Sequence, residues 1–169
     1  RPDDGRVLYL PWDWDSSFQI STTSDLIGSG NIANLVNIPN NRRIFLNHVY
    51  DIVSTTFNKN YMARWIKHYG EISRTDLSAA DAYITGRSAF ALTQLPLNTP
   101  FAITNNAGAD FATSTNQLIL AGTAPISVRS IELNGTVYPI TWVANTAWRL
   151  SIPLNAGANS LSIQGITAN

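Results

Sequence analysis

The chain has 169 residues, 11 Lys plus Arg against 11 Asp plus Glu, and a formal net charge of zero, with charged residues at only 13%. No basic stripe is present to give a nucleic-acid binder its electrostatic footprint, and no apolar run reaches the roughly 18 residues of a transmembrane helix. Cysteine is absent, which excludes disulfides, thiolate metal sites and Cys nucleophiles.

This length suits one or two domains. Three zones of different pattern follow one another. The first, from Arg1 to about Ile20, reads as a hairpin or strand pair, with the turn dipeptide Asp4-Gly5 and the apolar run Val7 to Leu10. It carries Pro11-Trp12-Asp13-Trp14-Asp15. In an extended segment the i and i+2 side chains share a face, so Asp13 and Asp15 project together and the two tryptophans project oppositely. Like charges placed together raise each other's pKa unless a cation offsets them. Two readings stand side by side: a metal-ion or phosphate-site carboxylate pair, or an edge turn in which Asp15 accepts from the amides of Ser17 and Phe18. Residues 21–39, rich in small polar residues around Gly28-Ser29-Gly30, are expected to be a loop; the glycines lack the strand-before, helix-after setting of a phosphate loop.

The second zone is helical. Asn40 or Asn41 is an expected N-cap for a helix through about Phe57, with Phe45, Val49, Ile52 and Val53 at helical spacing. Asn58 or Asn60 is expected to cap a second helix, Tyr61 to Tyr69, closed by Gly70. A third is expected after Ser73 or Thr75, with Asp76 in its first turn, Gly86 as an interruption and Pro96 as the end.

From Phe101 the period changes to short strands between turns. Expected strands are Gln117 to Leu120, Val128 to Leu133, Val137 to Val143, Trp148 to Leu154 and Asn159 to Ile163, with Asn134-Gly135 as a hairpin turn. Strands at this spacing indicate a small β-sandwich. The expected architecture is therefore α+β in two modules, residues 1–96 and residues 97–169, and the chain reads as a fragment of a longer polypeptide.

Several single residues invite chemistry. Arg42 and Arg43 near a helix start oppose the dipole; one is expected to reach Asp13 or Asp15 in an ion pair, the alternative being two solvated side chains. Arg87, alone on an apolar helical face, is expected in a structural ion pair. His48 and His68 lie on separate helices and are not spaced to share a metal. Trp65 and Trp12 are expected in the core. Trp142 and Trp148 face each other across a hairpin, either as a cross-strand aromatic pair or, if exposed, as a platform for stacking sugars. No Ser-His-Asp arrangement is present, and no catalytic residue is assigned.

Three ordered segments, Tyr9 to Phe18 (Tyr-Leu-Pro-Trp-Asp-Trp-Asp-Ser-Ser-Phe), Asn41 to Leu46 and Tyr83 to Arg87, resemble the CotH (spore-coat protein H) kinase family over about residues 1–95. The resemblance implies an atypical protein-kinase-like fold that phosphorylates secreted or spore-surface proteins with ATP and Mg²⁺. It implies Asp13 as the metal carboxylate, with Asp15 a second candidate, and an extracellular or cell-surface location. A kinase also needs a strand lysine and a catalytic-loop Asp with its Asn partner. These should precede the Pro-Trp-Asp element, where only ten residues stand. The chain alone is therefore expected to be inactive and to bind neither ATP nor Mg²⁺. The β zone resembles the Ig-like modules of large exported bacterial proteins through Ile131 to Gly135 and Ile152 to Asn159. A rival expectation is an adhesion module whose β part recognises an extracellular or cell-wall glycan.

Overall fold

A computed structural model describes residues 18–167. The architecture is α+β: four helices, then two antiparallel sheets. Helix α1 spans Gly30–Val36, α2 Pro39–Thr55, α3 Lys59–Ser73 and α4 Ser78–Thr93. Strands follow as β1 (Ala102–Ile103), β2 (Gln117–Thr123), β3 (Val128–Leu133), β4 (Thr136–Tyr138), β5 (Thr141–Trp142), β6 (Ala147–Pro153) and β7 (Ile163–Thr167).

The helix boundaries follow local chemistry. Helix α2 begins at Pro39, whose missing N–H and fixed φ suit the first helical position; the expected Asn caps lie inside it. Asn58 caps α3, its side chain accepting from the Tyr61 amide at 3.0 Å. Helix α3 does not close at Gly70. It continues to Ser73, and the stop is Arg74 in the left-handed region at φ 54°. Asp76 lies before α4 rather than within it, and its carboxylate accepts from the Ser78 amide at 2.9 Å and the Ser78 hydroxyl at 3.1 Å. Gly86 leaves α4 uninterrupted. Residues 21–39 are not a continuous loop, because they hold α1.

The two sheets have the orders β1-β2-β6-β5 and β4-β3-β7. Strands β2 and β6 pair over seven residues from Gln117↔Pro153 to Thr123↔Ala147. Along β6, Trp148, Leu150 and Ile152 are buried while Arg149 and Ser151 are exposed, the period-two alternation of a half-buried strand. The expected strand over Val137 to Val143 is divided at Pro139-Ile140. Its first part, β4, pairs with β3 in one sheet, and its second part, β5, pairs with β6 in the other. Pro139 has no N–H to offer a ladder, so the interruption falls where a ladder bond would be lost. Asn134 and Gly135, both at positive φ (51° and 79°), form the tight turn between β3 and β4.

One apolar core lies between the sheets, built from Leu120, Trp142, Trp148, Leu150 and Ile152 on one side and Val128 and Ile131 on the other. Gly122 makes room for it: a Cβ there would overlap the Trp148 indole and the Ala102 carbonyl. A second cluster, Leu46, Leu95 and Ile126, joins α2 and the end of the helical half to the β2–β3 connection.

Candidate functional site

Asp13 and Asp15 lie outside the described residues. The segment that leaves them is described, and it is fastened to α4. The Phe18 ring packs edge-on against Tyr83 at 5.2 Å. Four residues along the helix, Arg87 Nη1 donates to the carbonyls of Thr22 (3.2 Å) and Ser24. Further along, Gln94 Oε1 accepts from the Leu26 amide at 3.2 Å and its Nε2 donates to Asp25 at 3.4 Å. Tyr83 and Arg87 fall on one helix face because they are spaced i, i+4. Gly86 faces the same segment, and a Cβ there would meet the Thr22 side chain at 3.4 Å, an ordinary contact distance.

Asp13 and Asp15, the ion-pair partners expected for Arg42 or Arg43, lie outside the described residues. Among the described residues the acceptors of Arg42, Arg43 and Arg87 are neutral oxygens, not carboxylates. Arg42 donates to Asn37 Oδ1 at 3.1 Å, and Arg87 to the two carbonyls just described. Arg43 is 1% exposed. Its Nη1 donates to the carbonyls of Asn145 (2.6 Å) and Ala124 (3.4 Å), and its Nη2 to those of Pro125 (2.5 Å) and Val128 (2.6 Å). Its Cζ lies 3.9 Å from the centroid of a Trp142 ring. A planar fork of donors suits several fixed carbonyls and a ring face at once, as a lysine ammonium does not. Burial lowers the pKa of Arg43 from its ordinary value to about 10, so the group is charged at neutral pH.

Trp142 and Trp148 are register partners between β5 and β6, but both are buried, at 7% and 0% exposure. They present no open ring faces, so the sugar-stacking platform expected of an exposed pair does not form. Phe101 stacks on Trp148 at 6.1 Å, and the indole Nε1 donates to the Thr123 carbonyl at 3.1 Å. Trp65 is only half-buried on α3, a helix with no fully buried residue; Tyr69 stacks on it and Arg64 lies over it.

An open cleft of about 920 Å³ lies at the other end of the sheets, between the β1–β2 connection and the β6–β7 connection. Its lining includes Leu118, Leu154, Leu161, Phe111 and many small polar residues, with Asp110 its one charged side chain. Much of the polar lining is already engaged. Asn105 bridges Ile119 and Ala121, the carbonyls of the lining residues Ala109 and Asp110 accept from Asn106, and Asn159 closes the loop at Asn155 and Gly157. With one carboxylate and no lysine or arginine, this cleft does not suit a nucleotide triphosphate, which needs cations around its phosphates. The described residues contain no group of three His, Cys, Asp or Glu arranged to hold a metal ion, and none of their helices is long and apolar enough to cross a membrane.

Comparison with protein-family models, curated proteins and solved structures finds no match.

Proposed function

We propose that the helical half is the C-terminal part of a CotH-like kinase domain in an exported, multi-domain bacterial protein, and that the β half is an Ig-like module. The parent transfers the γ-phosphoryl group of ATP to a protein Ser or Thr with Mg²⁺, Asp13 serving as a metal carboxylate and Asp15 as a second candidate. The observation that carries this reading is the meeting of two of the resembling segments. The exit from the Asp13–Asp15 element is held on α4 by Tyr83 and Arg87, which belong to the third segment. Positioning is most of what phosphoryl transfer asks of a protein, and a fastened exit segment serves that demand.

Exposed apolar side chains on the helices support the same reading. Ile32, Leu35 and Ile38 around α1, and Tyr61, Tyr69 and Ile72 on α3, stand in solvent, as is fitting for helices that pack against more polypeptide in the parent. For the β half the support is topological. With strands lettered A, B, C, C′, D, E and F in chain order, the sheets read A-B-E-D and C′-C-F, close to the two sheets of an Ig sandwich.

On this reading ATP and Mg²⁺ are assigned to the parent, and transfer is not expected of the 169-residue chain by itself. Transfer of labelled γ-phosphate to a protein acceptor tests this on the parent polypeptide and on the 169-residue chain. The expected result is transfer by the parent, abolished by Asp13→Ala, and none by the chain. Transfer by the chain alone, or by the parent irrespective of Asp13, overturns the assignment.

A further inference from the structure

One face of α2 is spent on the β half. Arg43, Asn47 and Asp51 recur at i, i+4 and i+8, which stacks them along one side of a helix. All three engage the connection between β2 and β3 or its flank. Arg43 donates to the carbonyls of Ala124, Pro125 and Val128, and across to Asn145. Asn47 Nδ2 donates to the Ile126 carbonyl at 2.6 Å. Asp51 pairs with Arg129. Ile126, fully buried, sits between Leu46 and Leu95.

The covalent connection is tied down as well. Pro96 accepts from the Ile126 amide at 3.1 Å, and Pro100 accepts from the Thr123 hydroxyl at 2.8 Å. A segment holding two prolines and bonded at both ends is not a flexible tether. Nor is Arg43 free to leave: withdrawing it would take a donor from the buried carbonyls of Ala124 and Val128 and from the partly buried carbonyls of Pro125 and Asn145, and would uncover a core indole; buried polar groups that lose partners are costly.

We infer that the helical and β halves form one rigid, cooperatively unfolding body, locked through the Arg43–Asn47–Asp51 face of α2, and not two modules that move independently. This inference does not depend on the kinase reading, because it concerns only contacts among described residues.

Hydrogen exchange of the full 169-residue chain, followed by mass spectrometry across a denaturant series, tests it. In the wild type, peptides from α2 and α4 and peptides from β2, β3 and β6 are expected to lose protection at one shared midpoint. Separate midpoints for the two halves overturn the inference. In Arg43→Met the halves are expected to separate, with helical amides exchanging about tenfold or more faster than in the wild type while β2 and β6 amides remain protected. Asn47→Ala, which removes one hydrogen bond and no charge, provides the milder version if Arg43→Met does not fold. A shared midpoint in wild type with no separation in either variant shows that the lock does not run through this face, and overturns that part of the proposal.

Discussion

The guanidinium of Arg43 lies 3.9 Å from the ring centroid of Trp142, so a cation from a helix covers a core indole of the β half. The contact is more than a cation–π pair, because the same group satisfies carbonyls at four positions. Cation–π attraction is worth roughly 2 kcal/mol or more when desolvated, and a hydrogen bond from a charged donor adds about 1.5–3 kcal/mol. The desolvation of the cation is offset by this set of partners together, and by none of them singly.

Arg43→Lys therefore tests geometry at constant charge. An ammonium cannot reach the Asn145 carbonyl and those of Ala124, Pro125 and Val128 in one orientation, so the variant should lose about 1.5–3 kcal/mol for each charge-assisted bond left unmade. Urea denaturation followed by circular dichroism measures this. A loss below about 1 kcal/mol would show that charge alone suffices.

Gly122→Ala is expected to destabilise by about 1–3 kcal/mol through overpacking, since its methyl would overlap the Trp148 ring and the Ala102 carbonyl. Pairing it with Trp148→Phe should recover part of the loss, because the smaller ring vacates the contested space. Thermal unfolding of the two single variants and the double variant gives the coupling.

Asn58→Ala removes the side chain that accepts from the Tyr61 amide and should cost about 1 kcal/mol. Helix α3 has no fully buried residue to compensate. Faster amide exchange at the start of α3, with α2 unchanged, is the expected signature.

Asp76 provides a pH test. Hydrogen bonds from the Ser78 amide and then the Ser78 hydroxyl lower its pKa below the ordinary 3.8. A carboxylate depressed in the folded state contributes stability that is complete above its unfolded pKa and lost as pH falls through the folded one. Stability of α4 should therefore decline in that acid window. In Asp76→Asn, which retains an acceptor but does not titrate, this component of the slope should vanish, as read from denaturation midpoints between neutral pH and the acid limit.

Much of the secondary structure could be read from periodicity. The long helices show apolar residues at helical spacing, and β2, β3 and β6 show their alternation or apolar runs. Helix α1 escaped because it is one short stretch with a single buried residue, Ala33, set among glycine, serine and asparagine. The run from Val137 to Val143 has the composition of one strand, and only its partners reveal two. The choice of partner is a long-range decision that seven residues do not encode.

The candidate sites were less legible for a related reason. Arg42-Arg43 is conspicuous at the start of a helix, yet the acceptors of Arg43 are backbone carbonyls some eighty residues away, and a carbonyl has no sequence signature. An acidic side chain is a visible candidate partner for an arginine, whereas the carbonyls of Pro125 and Val128 are not. Likewise, the pairing of Trp142 with Trp148 follows from the turn between them, but their burial depends on Phe101 and Arg43, which come from other parts of the chain. The cleft beside the β6–β7 connection has no signature in the sequence, because its asparagines are of the kind that turns ordinarily carry.

The crossing at Pro139-Ile140 has a mechanical consequence. Because β4 and β5 belong to opposite sheets yet are joined by two residues, the layers are sewn together by main chain as well as by their apolar filling. Shearing one layer over the other would draw this stitch taut before the Trp142–Trp148 register could slip, so a load applied across the layers meets a covalent stop.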